Sequence, residues 1–274
     1  MTAIVWTPQL EIGISFVDAD HKILVKLLNQ VDDAIAAFEE SATLGSVLGA
    51  LRDYTIYHFD REEAMLHVCG YRDVGRHRDE HALLSGQVAD IGRRFRADPG
   101  SVNGNEVRDF LRRWLIEHIL AHDFSYRASA LAAPQAALHA ETLHFAQSVG
   151  VRQNGFASLR VLVVDDNPRF RAFLATVLKA LGVRDVTLAA SAEEGIDRWN
   201  KRPGDAVICD WLMDGMPAHA FAAAARVTSP TARIVALSAL APGVIADQAG
   251  AGTLDAILEK PVSTVDLARA LVAR

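Results

Sequence analysis

Apolar residues in the first half of the chain return every three or four positions. Ile23, Leu24, Leu27, Leu28, Val31, Ile35 and Phe38 make one stripe, at the spacing of an amphipathic helix. Ser41 to Gly45 interrupt it. Val47, Leu48, Leu51, Tyr54, Thr55 and His58 resume it on a second helix, which continues through Met65 and Leu66 and ends at Gly70. A third helix is predicted from about Val74 to Phe95, with Ala82, Leu83, Val88, Ile91 and Phe95 apolar. Asp98-Pro99-Gly100 is a turn. A fourth helix is predicted from about Gly104 to Leu131, led by Val107, Phe110, Leu111, Trp114 and Leu115. Four helices with short connections predict a bundle. Pro134 stops the fourth helix or lies just beyond it. Gln135 to Val149 has the pattern of a further helix, with Leu138, Thr142, Phe145 and Val149 on one side.

From residue 159 the period changes. Leu159-Arg160-Val161-Leu162-Val163-Val164 is a short branched run, as in a buried parallel strand. Asn167 and Pro168 then open a helix, a cap followed by proline at the first position. Further strands fit Asp185 to Ala189, Ala206 to Cys209, Arg233 to Leu237 and Ala256 to Leu258, with helical segments between and after them. That alternation predicts a doubly wound, five-stranded parallel sheet covered on both faces. The expected organisation is an all-α bundle over residues 1–133, a part-helical linker over 134–157 and an α/β domain over 158–274. Gly150 to Gly155, of loop composition, lies within the linker.

Composition narrows the classes. At 274 residues the chain has the length of about two domains. Half of it is hydrophobic, enough for each domain to bury a core without disulfides. Cys69 and Cys209, one in each half, make no disulfide framework. The N-terminus lacks a basic region followed by an apolar one, and no apolar stretch approaches ~18 residues, so neither export nor a membrane span is expected. A cytoplasmic location follows as the expectation. A net charge of −6 gives no signal for nucleic acid.

The chemistry of the first half lies in its imidazoles. Nine of the ten histidines stand before residue 145. His58 and Glu62 are four apart, as are His77 and His81, so each pair aims two donors from one helix face. His118 and Asp123 are five apart, about 140° around an ideal helix, and share a site only with divergent side chains or a locally widened turn. His21 stands in Asp18-Ala19-Asp20-His21. Imidazoles with carboxylates on facing helices are the ligand set of a non-haem two-iron centre, and ligand type alone also admits zinc. His122, one turn after His118, reads as a helix-surface residue or as a partner behind the ligands; His139 and His144, in the linker, read as exposed.

These motifs resemble those of bacterial haemerythrin domains over about the first 130 residues. Gly13-Ile14 with Asp18-Ala19-Asp20-His21-Lys22 resembles the approach to that family's first helix. His58-Phe59-Asp60-Arg61-Glu62-Glu63 resembles its second-helix motif. His77 and His81 resemble its third, and Trp114-Leu115-Ile116-Glu117-His118-Ile119 with Asp123 and Tyr126 its fourth. The resemblance implies that His77, His81 and His118 hold one iron, that His21 and His58 hold the other with a position open to O2, and that Glu62 and Asp123 bridge the pair. The implied cofactor is two oxo- or hydroxo-bridged iron ions with O2 as ligand.

In the second half, reactive residues stand where parallel sheets bind ligands, beyond the carboxyl ends of strands. Asp165 and Asp166 follow the first strand, Asp210 the third, Ser238 the fourth and Lys260-Pro261 the fifth. Carboxylates at that density suit Mg²⁺. The arrangement resembles a response-regulator receiver domain of flavodoxin-like fold. That resemblance implies Asp210 as phosphoacceptor, Asp165, Asp166 and Asp210 around Mg²⁺, Ser238 bonded to the phosphoryl group and Lys260 paired with it. Two positions depart from the family: Asp214 stands where proline is common, and Ile257 where an aromatic switch residue is common.

The combined expectation is a two-component signalling protein, in which an O2- or redox-sensing two-iron domain is coupled to a phosphoaspartate receiver. It catalyses nothing beyond its own phosphoryl transfer. Its expected partners are a sensor histidine kinase or small phosphodonor, a downstream signalling protein and a second copy of itself, without direct nucleic acid or membrane. No output domain follows Arg274 in this sequence, so output is expected through another protein, a dimer rearrangement or the iron domain itself. The competing readings are an oxygen store whose affinity is set by phosphorylation, and a two-iron enzyme reducing O2, peroxide or nitric oxide.

Overall fold

The computed structural model describes residues 3–36, 41–151 and 155–272, which fall into two compact units, 1–148 and 149–274. In the first, α1 (Ser15–Ala36), α2 (Ser41–Val68), α3 (Val74–Ala97) and α4 (Gly104–Glu117) form the bundle, with α4 continuing through a widened turn, His118–Asp123, into α5 (Phe124–Leu131). The stripes are buried as their periods require: Leu24, Leu28 and Val31 from α1, Val47, Leu51 and Met65 from α2, Val88 and Phe95 from α3, and Val107, Leu111 and Leu115 from α4. Phe38, expected in the first stripe, lies outside the described residues.

Two details of the pattern come out differently. Ser41 to Gly45 is the first turn of α2, not an interruption. Glycine costs a helix about 1 kcal/mol, and the burial of Val47, Leu48 and Leu51 directly after it offsets that. Leu83, expected on the apolar side of α3, is largely exposed. Gly70 does end α2. Its φ is +68°, and Gly70 N donates to His67 O and Tyr71 N to Leu66 O, closing the last carbonyls in the manner of a left-handed helix stop.

The stretch from Pro134 to Ser148 belongs to the first unit. It forms two short helices, α6 (Pro134–Glu141) and α7 (Phe145–Ser148), and α6 packs on α2. Its inward face is Ala136, Ala140 and Phe145, whereas Leu138 and Thr142, expected on that face, point outward. The break at 142–144 resets the helical phase, so one continuous stripe does not apply.

The second unit is a parallel sheet in the order β2-β1-β3-β4-β5, from β1 (Arg160–Val164), β2 (Asp185–Ala189), β3 (Ala206–Asp210), β4 (Arg233–Ser238) and β5 (Ala256–Glu259). Val161 pairs with Val186 and Ala206, and Ala206 with Arg233. The three inner strands are almost wholly buried, which is why they read as unbroken apolar runs; β2 and β5, at the edges, are half-buried. Between and after the strands come α8 (Pro168–Ala180), α9 (Ala192–Lys201), α10 (Ala218–Thr228), α11 (Pro242–Ala249) and α12 (Thr264–Val272). Asn167 caps α8, its Oδ1 accepting from Arg169 N and Phe170 N. A Cβ added to Gly195 of α9 would lie 2.9 Å from Val164, so glycine there lets the helix sit directly on β1. Among the described residues no helix is long and apolar enough to cross a membrane.

Candidate metal centre and phosphoryl pocket

Each bundle helix contributes donors from its buried face, and the seven predicted side chains meet at one place. His21 comes from α1, His58 and Glu62 from α2, His77 and His81 from α3, and His118 and Asp123 from the widened turn; all seven are buried. Glu62 faces both ways: Oε2 is 3.2 Å from His58 Nε2, and Oε1 is 2.8 Å from His77 Nε2. Asp123 does the same. Its Oδ2 is 3.2 Å from His21 Nε2 and its Oδ1 3.1 Å from His118 Nε2. The imidazoles thus fall into two groups, His21 with His58 and His77 with His81 and His118, and each carboxylate offers one oxygen to each group. Donor atoms of Glu62, His77, His81 and His118 lie within 4.8 Å of one another, as do those of His21, His58 and Glu62.

The turn from His118 to Asp123 is a π-turn, closed by Phe124 N donating to Ile119 O five residues back. It removes the 140° offset that a regular helix would impose between residues five apart. Of the two arrangements that the spacing leaves open, divergent side chains or a widened turn, the structure has the widened turn.

Cations fit the donor set. Both ring nitrogens of His21 and of His58, Glu62 Oε2, His118 Nδ1, both Asp123 oxygens and the Tyr126 hydroxyl are buried without a hydrogen-bond partner. Leaving such atoms unmatched costs about 1–3 kcal/mol each. His81 Nε2 and His118 Nε2 face each other at 3.3 Å. Burial holds both rings toward the neutral form, His118 strongly, so two acceptor nitrogens point into one space. Burial likewise pushes His21 well down. His58 goes the other way, up to about 9: burial alone would lower it, and Asp20 and Glu62 outweigh burial. Burial and the Glu62 charge push Asp123 well up, whereas His58 and His77 hold Glu62 down against burial. Two buried carboxylates this close ionise together only with added positive charge. Metal ions would supply it.

The walls are aromatic. Phe59 stacks on His81 with centroids 3.6 Å apart, and Trp114 lies parallel to His118 at 6.1 Å. Behind the rings stand acids that the sequence pattern does not single out. Glu63 Oε1 is 2.9 Å from His81 Nδ1, the carboxylate–imidazole pairing that orients metal-ligating histidines. Glu63 is the second acid of the Glu62-Glu63 pair, so adjacency was the available signal. His122, read from the sequence as a surface residue or a partner behind the ligands, is half-buried, with Nδ1 2.5 Å from Glu80 Oε2 and its ring 5.8 Å from that of His118. His139 is exposed and His144 half-buried.

In the second unit, the five predicted residues stand at the carboxyl ends of the strands, where parallel register brings those ends level. Lys260 Nζ donates to Asp210 Oδ2 at 3.0 Å and to Asp165 Oδ2 at 3.4 Å, and lies 4.3 Å from the centre of the Phe170 ring. Carboxylate oxygens of Asp165, Asp166 and Asp210 lie within 4.8 Å of one another; Asp166 is exposed and the other two are buried. Burial pushes Asp165 up to about 6, with Lys260 opposing and Asp210 adding, and burial raises Asp210 against the same lysine. One ammonium does not fully offset these acids, so the donor set fits a divalent cation with oxygen ligands. Ser238 is buried, its Oγ accepting from Leu240 N at 3.0 Å. Asp214 is exposed and Ile257 half-buried.

A bundle with two histidine groups joined by two carboxylates defines the class of non-haem metal-binding bundles; the parallel sheet with an acid–lysine pocket defines the class of receiver folds. Family models agree: residues 12–127 match the hemerythrin HHE cation binding domain, and 161–272 the response regulator receiver domain. Bacteriohemerythrin of Pseudomonas aeruginosa is 35% identical over 126 residues, 46% of this chain and 80% of that protein. Bacteriohemerythrin of Methylococcus capsulatus is 35% identical over 127 residues, 46% of this chain and 95% of that one. Among solved structures, a wild-type hemerythrin covers 47% of this chain and 98% of its own at 32% identity, with a TM-score of 0.44. The chemotaxis protein CheY4 of Vibrio cholerae covers 41% and 94% at 27% identity, with a TM-score of 0.37. Through its first unit the chain belongs to the bacteriohaemerythrin family, and its second unit is a response regulator receiver domain.

Proposed function

We propose that this is a cytoplasmic two-component signalling protein in which a two-iron haemerythrin site, responsive to O2 or redox state, is coupled to a receiver phosphorylated on Asp210. The observation that carries the reading is the division of donors in the first unit. Two carboxylates each face two imidazole groups, in a chain that also holds an acid–lysine pocket at the ends of parallel strands.

His77, His81 and His118 would hold one iron, and His21 with His58 the other, with Glu62 and Asp123 shared between them. The chemistry that bound iron supplies is reversible redox change together with a binding position for O2. The chain's own residues prepare the place. Phe59 and Trp114 keep water from the rings, Glu63 fixes the orientation of His81, and the Tyr126 hydroxyl faces Glu62 and Asp123.

At the receiver, a carboxylate oxygen of Asp210 attacks the phosphorus of a phosphohistidine or small acyl phosphate. A P–O bond to Asp210 forms as the donor's P–N or P–O bond breaks, and the electron pair leaves with the donor. Lys260, already on Asp210, balances the gathering negative charge, and Ser238, at the end of β4, would donate its hydroxyl to a phosphoryl oxygen. Mg²⁺ held by Asp165, Asp166 and Asp210 would share that balance. Enzymatic action stops at this self-phosphorylation, and the signal leaves through a downstream protein partner or a change of homodimer.

The test is direct. The full chain purified with iron should carry about two irons, and it should accept phosphate from a small phosphodonor only with Mg²⁺ present. The phosphoryl half-life on Asp210 should differ between ferrous and ferric protein. A single zinc per chain, or phosphate incorporation that persists in Asp210→Asn, would remove the corresponding half of the reading.

A further inference from the structure

Behind His58 the first unit holds a buried polar connection that the metal site itself does not require. Asp20, on α1, is buried, and its Oδ2 lies 3.6 Å from His58 Nδ1, longer than a formed hydrogen bond. Arg61 Nη1 donates to both Asp20 oxygens, at 2.9 and 2.8 Å, and Tyr54 Oη donates to Oδ1 at 2.8 Å. The guanidinium lies between two rings, 4.5 Å from the centre of Phe16 and 5.1 Å from that of Tyr57. From there the connection leaves the bundle. Arg61 Nε donates to Ala140 O at 3.2 Å, and Tyr57 Oη to Leu143 O at 3.1 Å. The Phe145 ring packs 5.0 Å from Tyr54 and 5.3 Å from Tyr57. Tyr54, Tyr57, His58 and Arg61 are spaced three and four apart, so one face of α2 carries both a metal donor and the seat of residues 134–148.

We infer that Asp20 and Arg61 are positioning residues that tie metal binding at His58 to the docking of residues 134–148 on the bundle. This rests on the two-metal reading above. A cation taken by His58 Nε2 leaves the ring proton on Nδ1. Nδ1 is buried and has no hydrogen-bond partner, and Asp20 is the carboxylate behind it. Forming that bond closes the 3.6 Å gap. Asp20 cannot shift alone, because Arg61 grips both its oxygens while also holding the Ala140 carbonyl. Metal binding therefore tightens the seat of α6, and a well-seated α6 favours the His58 position that binds metal, since such linkage acts equally in both directions. Residues 134–148 lead without a break in the chain to Val149, where the second unit begins.

The experiment uses the full chain, free of metal or loaded anaerobically with Fe(II), and follows amide hydrogen exchange over residues 134–148. Loading should slow exchange there several-fold. In Arg61→Leu, loaded with enough Fe(II) to match the wild-type iron content, exchange should be fast and should not respond to Fe(II); a merely structural arginine would change the rate but not its response to metal. From the other end, Phe145→Ala, which leaves every charged group in place, should release Fe(II) to a chelator several-fold faster, and it decides the matter if Arg61→Leu does not fold. Three results overturn the inference: wild-type exchange indifferent to bound Fe(II), a response retained in Arg61→Leu, or wild-type release from Phe145→Ala. Protein that takes up no Fe(II) at all overturns the two-metal reading instead, and this inference with it.

Discussion

Glu62 is the side chain on which the joining of the two imidazole groups most depends, because its two oxygens divide between His58 and His77. Glu62→Ala should bring iron content well below the about two per chain expected of such a bundle, as read by metal analysis on folded protein. Asp255 serves stability rather than the site. Burial alone would raise its carboxyl, but Ile234 N and the Arg226 guanidinium, 2.6 Å away, hold it below the ordinary value. A lowered folded pKa contributes stability that is present above the unfolded value and lost as pH falls through the folded one. Asp255→Asn should therefore cost at most about 1 kcal/mol near neutrality, since the pair is partly solvated. The gap in melting temperature should narrow below pH about 4. At this scale the sequence displayed donors better than their supports. Histidines four apart from a partner stand out by chemistry and spacing. Arg61 does not, because nothing local marks an arginine that reaches a carboxylate 41 positions back and a carbonyl 79 positions on.

The helical element that decides the metal centre is the π-turn at His118–Asp123. Inserting one alanine between Ala121 and His122 should swing Asp123 about a further 100° around the axis. Iron binding should then fall sharply, with little change in helical circular dichroism. The same turn shows where pattern reading stops. Spacing five revealed a misfit with a regular helix, but whether the chain widens or the side chains splay depends on packing against three other helices. Strand limits were legible almost residue by residue in the buried inner strands, where apolar runs end at Asp165, Asp210 and Ser238. The stretch from Pro134 to Ser148 was not, since alanines that pack closely on α2 carry no amphipathic signature.

At the scale of the whole molecule, one chain joins a haemerythrin domain to a receiver domain. Azide or O2 titration of the full chain, with and without a phosphoryl mimic at Asp210, should give curves displaced by about 5- to 150-fold, the range of ordinary coupling between sites. Phosphoryl lifetime should respond to iron state by the same linkage. Superimposable curves together with equal lifetimes would reduce the joining segment to a tether.

The spread of donors along the chain also sets a schedule. His21 lies near the beginning and Asp123 more than a hundred residues later, yet the two nitrogen–oxygen contacts of Asp123 complete both halves of the centre. During synthesis the first three helices emerge already carrying five of the seven donors, but the group of His77, His81 and His118 stays incomplete until the turn after α4 is made. A chain interrupted before Asp123 therefore lacks the second carboxylate that faces both imidazole groups.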